Sequence, residues 1–111
     1  MDTKNYLNTK VKVIMDRKMG SSHPKYGFIY PVNYGYVPNT ISGDGEELDC
    51  YLLGINEPVD EYIGTCIAII HRLNDNDDKL IIVPEKISLT NEEIEEQIAF
   101  QEKYFIHEII R

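Results

Sequence analysis

The sequence predicts a mainly β fold with one C-terminal helix (α+β). Short runs rich in β-branched residues recur up to Pro84, and turns containing Gly, Pro, Asn and Asp separate them. From Thr90 the apolar residues change to a helical period. Strands and helix do not alternate as βαβ units. The expected architecture is therefore a small, bent, antiparallel five-stranded OB-like barrel covered by the helix.

Five segments are predicted to be strands, because each is rich in β-branched or aromatic residues and is bounded by turn formers. The second is predicted as an extended edge segment that presents tyrosines, since its two prolines forbid a long regular ladder. The turn "NDNDD" joins the last two, which are predicted to form a hairpin. The five segments are residues 11–15, 28–40, 48–55, 62–73 and 79–84.

The C-terminal segment 90–111 is predicted to be the covering helix. Its start is marked by Thr90 and Glu93, whose spacing fits a capping box. Acidic residues in the first turn suit the positive end of the helix dipole. Apolar residues then recur at spacings of 4, 7 and 4, on one predicted helical face: Ile94, Ile98, Phe105 and Ile109.

The composition is that of a single acidic globular domain, expected to span residues 1–111. Lys and Arg total 11 against 19 Asp and Glu, which gives a formal net charge of −8. No run of basic residues appears, so neither nucleic acid nor an anionic membrane is an expected partner. An anionic substrate would need a bridging cation.

The protein is expected to be cytoplasmic and soluble. No apolar segment approaches the roughly 20 residues of a membrane span, and the N-terminus lacks the apolar region of a signal peptide. Cys50 and Cys66 lie in apolar runs without metal-binding spacing. They are expected to be reduced core residues.

The stretch "VNYGYVPNTISGDGEELDC" places four acidic residues within six positions, namely Asp44, Glu46, Glu47 and Asp49. Hard divalent cations such as Mg²⁺ take oxygen ligands and need only one or two carboxylates each, so this cluster could hold one or two ions. The alternative is a solvated hairpin loop, because Asp-Gly is a strong turn signal. Spacing alone leaves both interpretations open.

A second acidic turn, "NDNDDK", contains Asp75, Asp77 and Asp78 before Lys79. It fails the EF-hand pattern, because the glycine and the final glutamate of that loop are absent. It is either a solvated turn or part of the same site, since the ends of neighbouring strands could bring both turns to one rim. Repulsion among the clustered acids would then favour a bound cation.

Basic and hydroxyl side chains near the acidic turns are candidates to contact phosphate oxygens. Each also has a structural explanation, since lysines are usually solvated and tyrosines usually pack at the edge of the core. The three histidines have no metal-binding spacing and are expected to be structural. The candidates are Arg17, Lys18, Lys25, Lys79, Tyr34 and Tyr104.

Three segments resemble those of one known family, the soluble magnesium-dependent inorganic pyrophosphatases. Residues 29–53 are similar to its signature, in which "YPxNYGYIPxT" leads to "DGDPxD". The segment "NDNDDKLIIVP" resembles its later acidic segment, and "FQEKYF" resembles the tyrosine-bearing part of its C-terminal helix. The resemblance covers most of the chain in order. It implies the barrel fold, Mg²⁺ as cofactor and pyrophosphate as substrate.

The resemblance also implies roles for individual residues. Asp49 would hold the metals around the attacking water, Lys79 would contact phosphate, and Tyr34 and Tyr104 would complete the catalytic set. Asp16 is a loose match to an early acid of the family. The implied metal ligands are Asp44, Glu46, Asp49, Asp75 and Asp77.

Some positions depart from the family pattern. Glu46 replaces an aspartate, and Phe105 replaces a phosphate-binding lysine. The chain also lacks the early hairpin that supplies a lysine, a glutamate and an arginine to the phosphates. Lys25, with Arg17 or Lys18, is the candidate replacement.

The leading hypothesis is magnesium-dependent hydrolysis of pyrophosphate or a closely related phosphoanhydride. The second is a catalytically weak module of the same family that binds metal and phosphate or nucleotide. The third, an oligonucleotide-binding barrel, is disfavoured by the net negative charge. A homo-oligomer stays open, because Phe100 and Tyr104 on a second flank of the helix could face the site or a partner chain.

Overall fold

The computed structural model describes residues 3–42, 45–75 and 77–111. In these ranges no helix is long and apolar enough to cross a membrane. In chain order the elements are a 3-10 helix (Thr3–Tyr6), β1 (Lys10–Arg17), β2 (Asn33–Val37), β3 (Leu48–Leu52), β4 (Glu61–Arg72), β5 (Asp78–Val83), α1 (Asn91–Glu102) and β6 (His107–Ile110).

Five of the strands close into a barrel. Neighbouring strands pair in the order β1-β2-β3-β5-β4, and β1 also pairs with β4, so the sheet returns on itself. The first part of the long strand β4 pairs with β1, and its last part pairs with β6. The predicted fold class, a mainly β five-stranded barrel with a C-terminal helix, is confirmed, as is the hairpin of β4 and β5.

One pairing differs from the predicted antiparallel barrel, because β3 and β5 run parallel. The prediction of a fully antiparallel barrel was wrong for a geometric reason. Strand direction can alternate all the way round a closed ring only when the number of strands is even, so five strands force at least one parallel pair. The crossover connection that a parallel pair requires is supplied by β4, which lies between β3 and β5 in sequence.

The helix is shorter than predicted. It begins after Thr90 with the predicted capping box and ends at Glu102. Phe105 therefore lies in the following turn, and residues 107–110 form β6. The edge of β4 offers unpaired backbone groups to this segment, and β-branched residues such as Ile109 favour a strand. Tertiary pairing thus overrides the helical period at the C-terminus.

Alternation along the strands divides the apolar core into two layers. The inner layer fills the barrel and includes Cys50 and Cys66, which are buried and free of disulfides, as predicted. The outer layer lies between the sheet and α1 and includes Tyr51 and Ile94. Along β3, Cys50 therefore faces the barrel interior, whereas Asp49 and Tyr51 face the outer side.

The glycine of the "NYGY" motif has a packing role. A Cβ atom added at Gly35 would lie 2.0 Å from the carbonyl oxygen of Ile14 in β1. Only glycine allows β1 and β2 to approach so closely. Gly35 faces the barrel, and the tyrosines on either side of it, Tyr34 and Tyr36, therefore share the outer face.

Candidate active site

The main predicted site residues meet on the outer face of the barrel, across three neighbouring strands. Tyr36 of β2 lies opposite Asp49 of β3, and Asp49 lies opposite Lys79 of β5. Tyr34 is two residues from Tyr36 and lies on the same face. The parallel pair of β3 and β5 thus joins the end of the first acidic turn to the end of the second.

Lys79 is held between two carboxylates. Its Nζ donates to Oδ2 of Asp49 at 2.9 Å and to Oδ2 of Asp77 at 3.3 Å. The residue is only 2% exposed, so its charge would be costly without these partners. One acid from each of the two acidic turns therefore reaches the same ammonium group.

Tyr34 contacts both Lys79 and Asp49. Its ring centroid lies 5.6 Å from the Nζ of Lys79, and its side chain is hydrogen-bonded to Asp49. Burial, together with the negative charge of Asp49, raises the pKa of Tyr34 well above its ordinary value. The neutral hydroxyl therefore donates to Asp49, whose side chain is still 33% exposed.

Asp16, at the end of β1, lies within electrostatic range of Asp49 and of Glu47. Partial desolvation raises the pKa of Asp16, against the lowering effect of neighbouring Arg17, and the carboxylates of Asp49 and Glu47 raise it further. The end of β1 therefore adds the carboxylate of Asp16 to the site.

A second cation, Arg72 at the end of β4, lies on the same outer face, and the sequence did not predict it. Its Nε and Nη2 donate to the two carboxylate oxygens of Glu102 at 2.9 and 2.7 Å. The Tyr51 hydroxyl donates to Glu102 at 2.6 Å, and the Gln101 amide donates to that hydroxyl at 2.7 Å. The ring of Phe105 covers the guanidinium, with its centroid 3.6 Å from the central carbon.

These groups line a cleft of about 710 Å³. Lys79 and Arg72 supply its positive charge. Of the ten described residues that line it, seven carry an aromatic ring. The rings come from the loop between β1 and β2, from β2, and from the region where α1 ends. The cleft therefore combines a charged part with a long aromatic wall.

Two other predicted metal ligands, Asp75 and Glu46, lie in loops. Asp75 is 40% exposed, and Nη1 of Arg72 donates to its Oδ2 at 3.4 Å. Glu46 is exposed in the loop before β3, and Asp44 lies outside the described residues. In the described parts of the chain, no group of three carboxylate, imidazole or thiol side chains is arranged to hold a metal ion. Metal binding by Asp44, Glu46 and Asp75 stays a prediction.

The three basic residues predicted to contact phosphate before β2 do not line the cleft, and one of them, Arg17, is the last residue of β1. Lys25 is exposed, and its Nζ lies 5.3 Å from the ring centroid of Tyr26 at the rim. Arg17 donates to the carbonyl oxygen of its own neighbour in the chain, 3.0 Å away. Lys18 forms an ion pair with Asp60. Phosphate binding by these residues is a prediction that their positions do not test.

Two other candidates are placed clearly. Tyr104 lines the cleft and is 72% exposed, but it follows the end of α1, so its predicted place on the helix is wrong. Asp78 is hydrogen-bonded to His71 at 2.6 Å. Because strand residues alternate, Asp78 faces away from the side on which Lys79 lies.

Two signals in the sequence pointed to the missed residues. Arg72 is a basic residue at the end of the apolar strand that precedes the acidic turn. Lys79 occupies the corresponding position after the turn, near the start of the next strand. Glu102 follows Ile94 and Ile98 at intervals of four, which places it on the buried face of α1. A charged residue on such a face requires a partner of opposite charge.

The side chains around Asp49 offer the type of donor atom, carboxylate oxygen, that hard divalent cations bind. Asp49, Asp16 and Glu47 offer carboxylate oxygens, and Asp49 is accessible from outside. Mg²⁺ retains several waters and needs only one or two protein carboxylates. Asp49 and Asp16 are therefore sufficient in number and chemistry to hold such an ion.

Comparison with known proteins identifies the family. The model of the family described as inorganic pyrophosphatase matches residues 4–109. This chain belongs to the inorganic pyrophosphatase family. The proteins named inorganic pyrophosphatase in Rickettsia typhi and Rickettsia prowazekii are each 30% identical to it, over alignments that cover 80% of this chain. The chain spans 62% and 64% of the length of these two relatives.

Solved structures of inorganic pyrophosphatases share the barrel. The Ehrlichia chaffeensis structure superposes with a TM-score of 0.69 at 19% identity, covering 92% of this chain and 85% of that one. The Thermus thermophilus structure gives a TM-score of 0.63 at 17% identity, covering 100% and 84%. At such identities the comparison shows a common fold. The predicted pyrophosphatase family and its barrel are thus both confirmed.

Proposed function

We propose that this member of the pyrophosphatase family hydrolyses inorganic pyrophosphate, or a closely related phosphoanhydride, with Mg²⁺. The observation that carries the proposal is the buried Lys79 ammonium between the carboxylates of Asp49 and Asp77. A chain of net charge −8 repels pyrophosphate, so cations must be concentrated where the substrate binds. The cleft has Lys79 and Arg72 for this purpose.

In the proposed reaction, Asp49 orients the attacking water and receives its proton. The water oxygen forms a bond to one phosphorus atom, and the bond from that phosphorus to the bridging oxygen breaks. The bridging oxygen leaves with the second phosphate. Tyr34 stays neutral because its pKa is raised, and it fixes Asp49 by donating a hydrogen bond to it. No bond between substrate and protein is formed.

Lys79 is proposed to stabilise the negative charge that develops on the leaving phosphate. Its ammonium is fixed in advance by two hydrogen bonds in a poorly hydrated position, where a charge acts more strongly than it does in water. Arg72 adds positive potential beside it, and Glu102 holds the guanidinium in place.

The proposed Mg²⁺ ligands are the five predicted from the sequence, together with Asp16. The five are Asp44, Glu46, Asp49, Asp75 and Asp77. When bound, the ion supplies Lewis-acid stabilisation of phosphate oxygens and lowers the pKa of bound water. The carboxylates without the ion would repel the substrate, so activity should require added divalent cation.

Phosphate release from pyrophosphate by Lys79→Met tests the proposal. Loss of one preorganised donor to the transition state costs about 100-fold to 1,000-fold in rate, so we expect kcat/KM to fall by that amount. Lys10→Met is the matched control, because Lys10 is exposed at the far end of β1, and it should keep the wild-type rate. A wild-type protein that releases no phosphate, or a folded Lys79→Met with an unchanged rate, would overturn the proposal.

A further inference from the structure

One wall of the cleft is aromatic, and binding of a bare pyrophosphate ion does not explain it. In the loop between β1 and β2, the ring centroid of His23 lies 5.0 Å from the ring centroid of Tyr26 and 4.8 Å from that of Phe28. Phe28 in turn lies 5.9 Å from Phe100 of α1, in an edge-on arrangement. All four rings line the cleft that contains Lys79. Pyrophosphate is small and wholly polar, so these rings have no apolar group of that substrate to contact.

Two tyrosines of the cleft are mostly exposed. Tyr26 is 70% exposed and Tyr104 is 72% exposed, on the loop before β2 and after the end of α1 respectively. Each has a lysine ammonium 5.3 Å from its ring centroid, Lys25 for Tyr26 and Lys103 for Tyr104. Exposed aromatic side chains at the rim of a cleft are typical of ligand-binding surfaces. The lysines add positive charge beside them.

Tyr26 is presented on a well-defined turn. The backbone N–H groups of Lys25 and Tyr26 donate to Nδ1 of His23 at 3.0 and 3.1 Å. The N–H of Gly27 donates to the carbonyl oxygen of His23 at 3.0 Å, and the N–H of His23 donates to that of Phe28 at 2.8 Å. Gly27 adopts φ +75°, which suits glycine. The ring of Tyr26 is thus held at the rim by its own loop.

We propose that the cleft binds a phosphoanhydride that carries a nucleobase, such as a nucleoside di- or triphosphate. This inference rests on the proposed hydrolysis, and it names the substrate class of the same site. The base lies against the aromatic wall headed by Tyr26, and the phosphates lie toward Lys79 and Arg72. Stacking on aromatic rings accepts every base, because every base has a π face. The bond that breaks is the anhydride bond described above, and a nucleoside phosphate is one of the two products.

Binding of two non-hydrolysable compounds separates the base from the phosphates. Methylenediphosphonate and α,β-methylene-ADP share the P–C–P unit, and only the second carries a nucleoside. Calorimetry in Mg²⁺ should show the nucleotide binding about 5-fold to 100-fold more tightly, which is the range produced by one base–aromatic stack. Tyr26→Ala should remove most of this preference while leaving the affinity for methylenediphosphonate within about 2-fold. Tyr26→Phe should retain the preference.

Ile63→Ala is the control, because Ile63 is 65% exposed on β4 and does not line the cleft. It should leave both affinities unchanged. Equal affinities for the two compounds, no nucleotide binding, or an equal loss of both in Tyr26→Ala would overturn the inference. Phosphate release from pyrophosphate by the same preparation tests the proposed hydrolysis separately. A protein that hydrolyses pyrophosphate without preferring the nucleotide keeps the first proposal and loses this one.

Discussion

Arg72 and Glu102 form a bidentate ion pair, at 2.9 and 2.7 Å, between the end of β4 and the end of α1. Glu102 is fully buried and Arg72 is 7% exposed, so each charge depends on the other. The pair fixes the helix end against the barrel, beside the cleft. It also holds in place Arg72, which together with Lys79 brings positive charge to that cleft.

Glu102→Gln should strongly destabilise the protein. The substitution removes the buried counter-charge of Arg72 and leaves its guanidinium only the longer contact with Asp75, at 3.4 Å. Breaking a buried pair in this way typically costs about 3–5 kcal/mol of unfolding free energy. Urea denaturation followed by circular dichroism measures the loss. Glu96→Gln, at an exposed position of the same helix, should change the stability by less than about 0.5 kcal/mol. Similar stabilities for the two variants would show that the ion pair does not anchor the helix.

The stability supplied by Glu102 should depend on acid pH. Burial alone would raise the pKa of Glu102, but hydrogen bonds from Arg72 and Tyr51 lower it below its ordinary value of 4.5. Stability from this group is therefore complete above pH 4.5 and is lost as the pH falls through the lowered, folded-state pKa. Unfolding free energies of wild type and Glu102→Gln should converge as the pH falls below 4.5. A constant difference between them would contradict this assignment.

The stability supplied by His107 should have the opposite pH dependence and decrease as the pH rises. Burial would lower its pKa, but the carbonyl oxygen of Phe105 and the carboxylate of Glu95 raise it above 6.5. Its Nε2 lies 2.9 Å from Glu95, so the charged form ties β6 to α1. This stability is complete below pH 6.5 and is lost as the pH rises through the raised pKa. The stability difference between wild type and Glu95→Gln should shrink over that rise, and a difference that grows would refute the prediction.

Gly35→Ala should disrupt the barrel. The new methyl group would lie 2.0 Å from the backbone oxygen of Ile14, and neither strand can move without breaking the ladder between β1 and β2. We expect a loss of more than about 4 kcal/mol, or no folded protein. Gly20→Ala is the comparison, because Gly20 has open space around it and only a strained φ of +87°. It should cost about 1–3 kcal/mol, as for a residue in the left-handed region, and equal losses would exclude the steric explanation.

Local signals predicted five strands, a barrel and the start of the helix, whereas the parallel strand pair and the last strand, β6, were missed. The capping box of Thr90 and Glu93 marked the start of α1 correctly. The C-terminal residues carry a helical apolar period, yet the free edge of β4 captures them as β6. Closure of a five-stranded ring requires a parallel pair, but no single segment shows that this pair is β3 and β5, with Asp49 opposite Lys79.

The candidate site was predicted in part for a related reason. Asp49, Asp77 and Lys79 lie in or directly after two acidic segments that are recognisable by their composition, and the structure brings them together. Arg72 looked like the end of an ordinary core strand, because its partner Glu102 is 30 residues away in sequence. The aromatic wall joins a loop to a helix end. Only the tertiary fold creates such contacts.

The most direct test of the account is the initial rate of phosphate release from pyrophosphate in Mg²⁺, for wild type and Asp49→Asn. Asp49 is proposed to receive the proton of the attacking water, a role worth about 100-fold to 10,000-fold in rate. We expect metal-dependent release by wild type and a loss of that size in Asp49→Asn. Glu85→Gln should keep the wild-type rate, because Glu85 is an exposed carboxylate beyond the far end of β5. Equal rates for wild type and Asp49→Asn would contradict it.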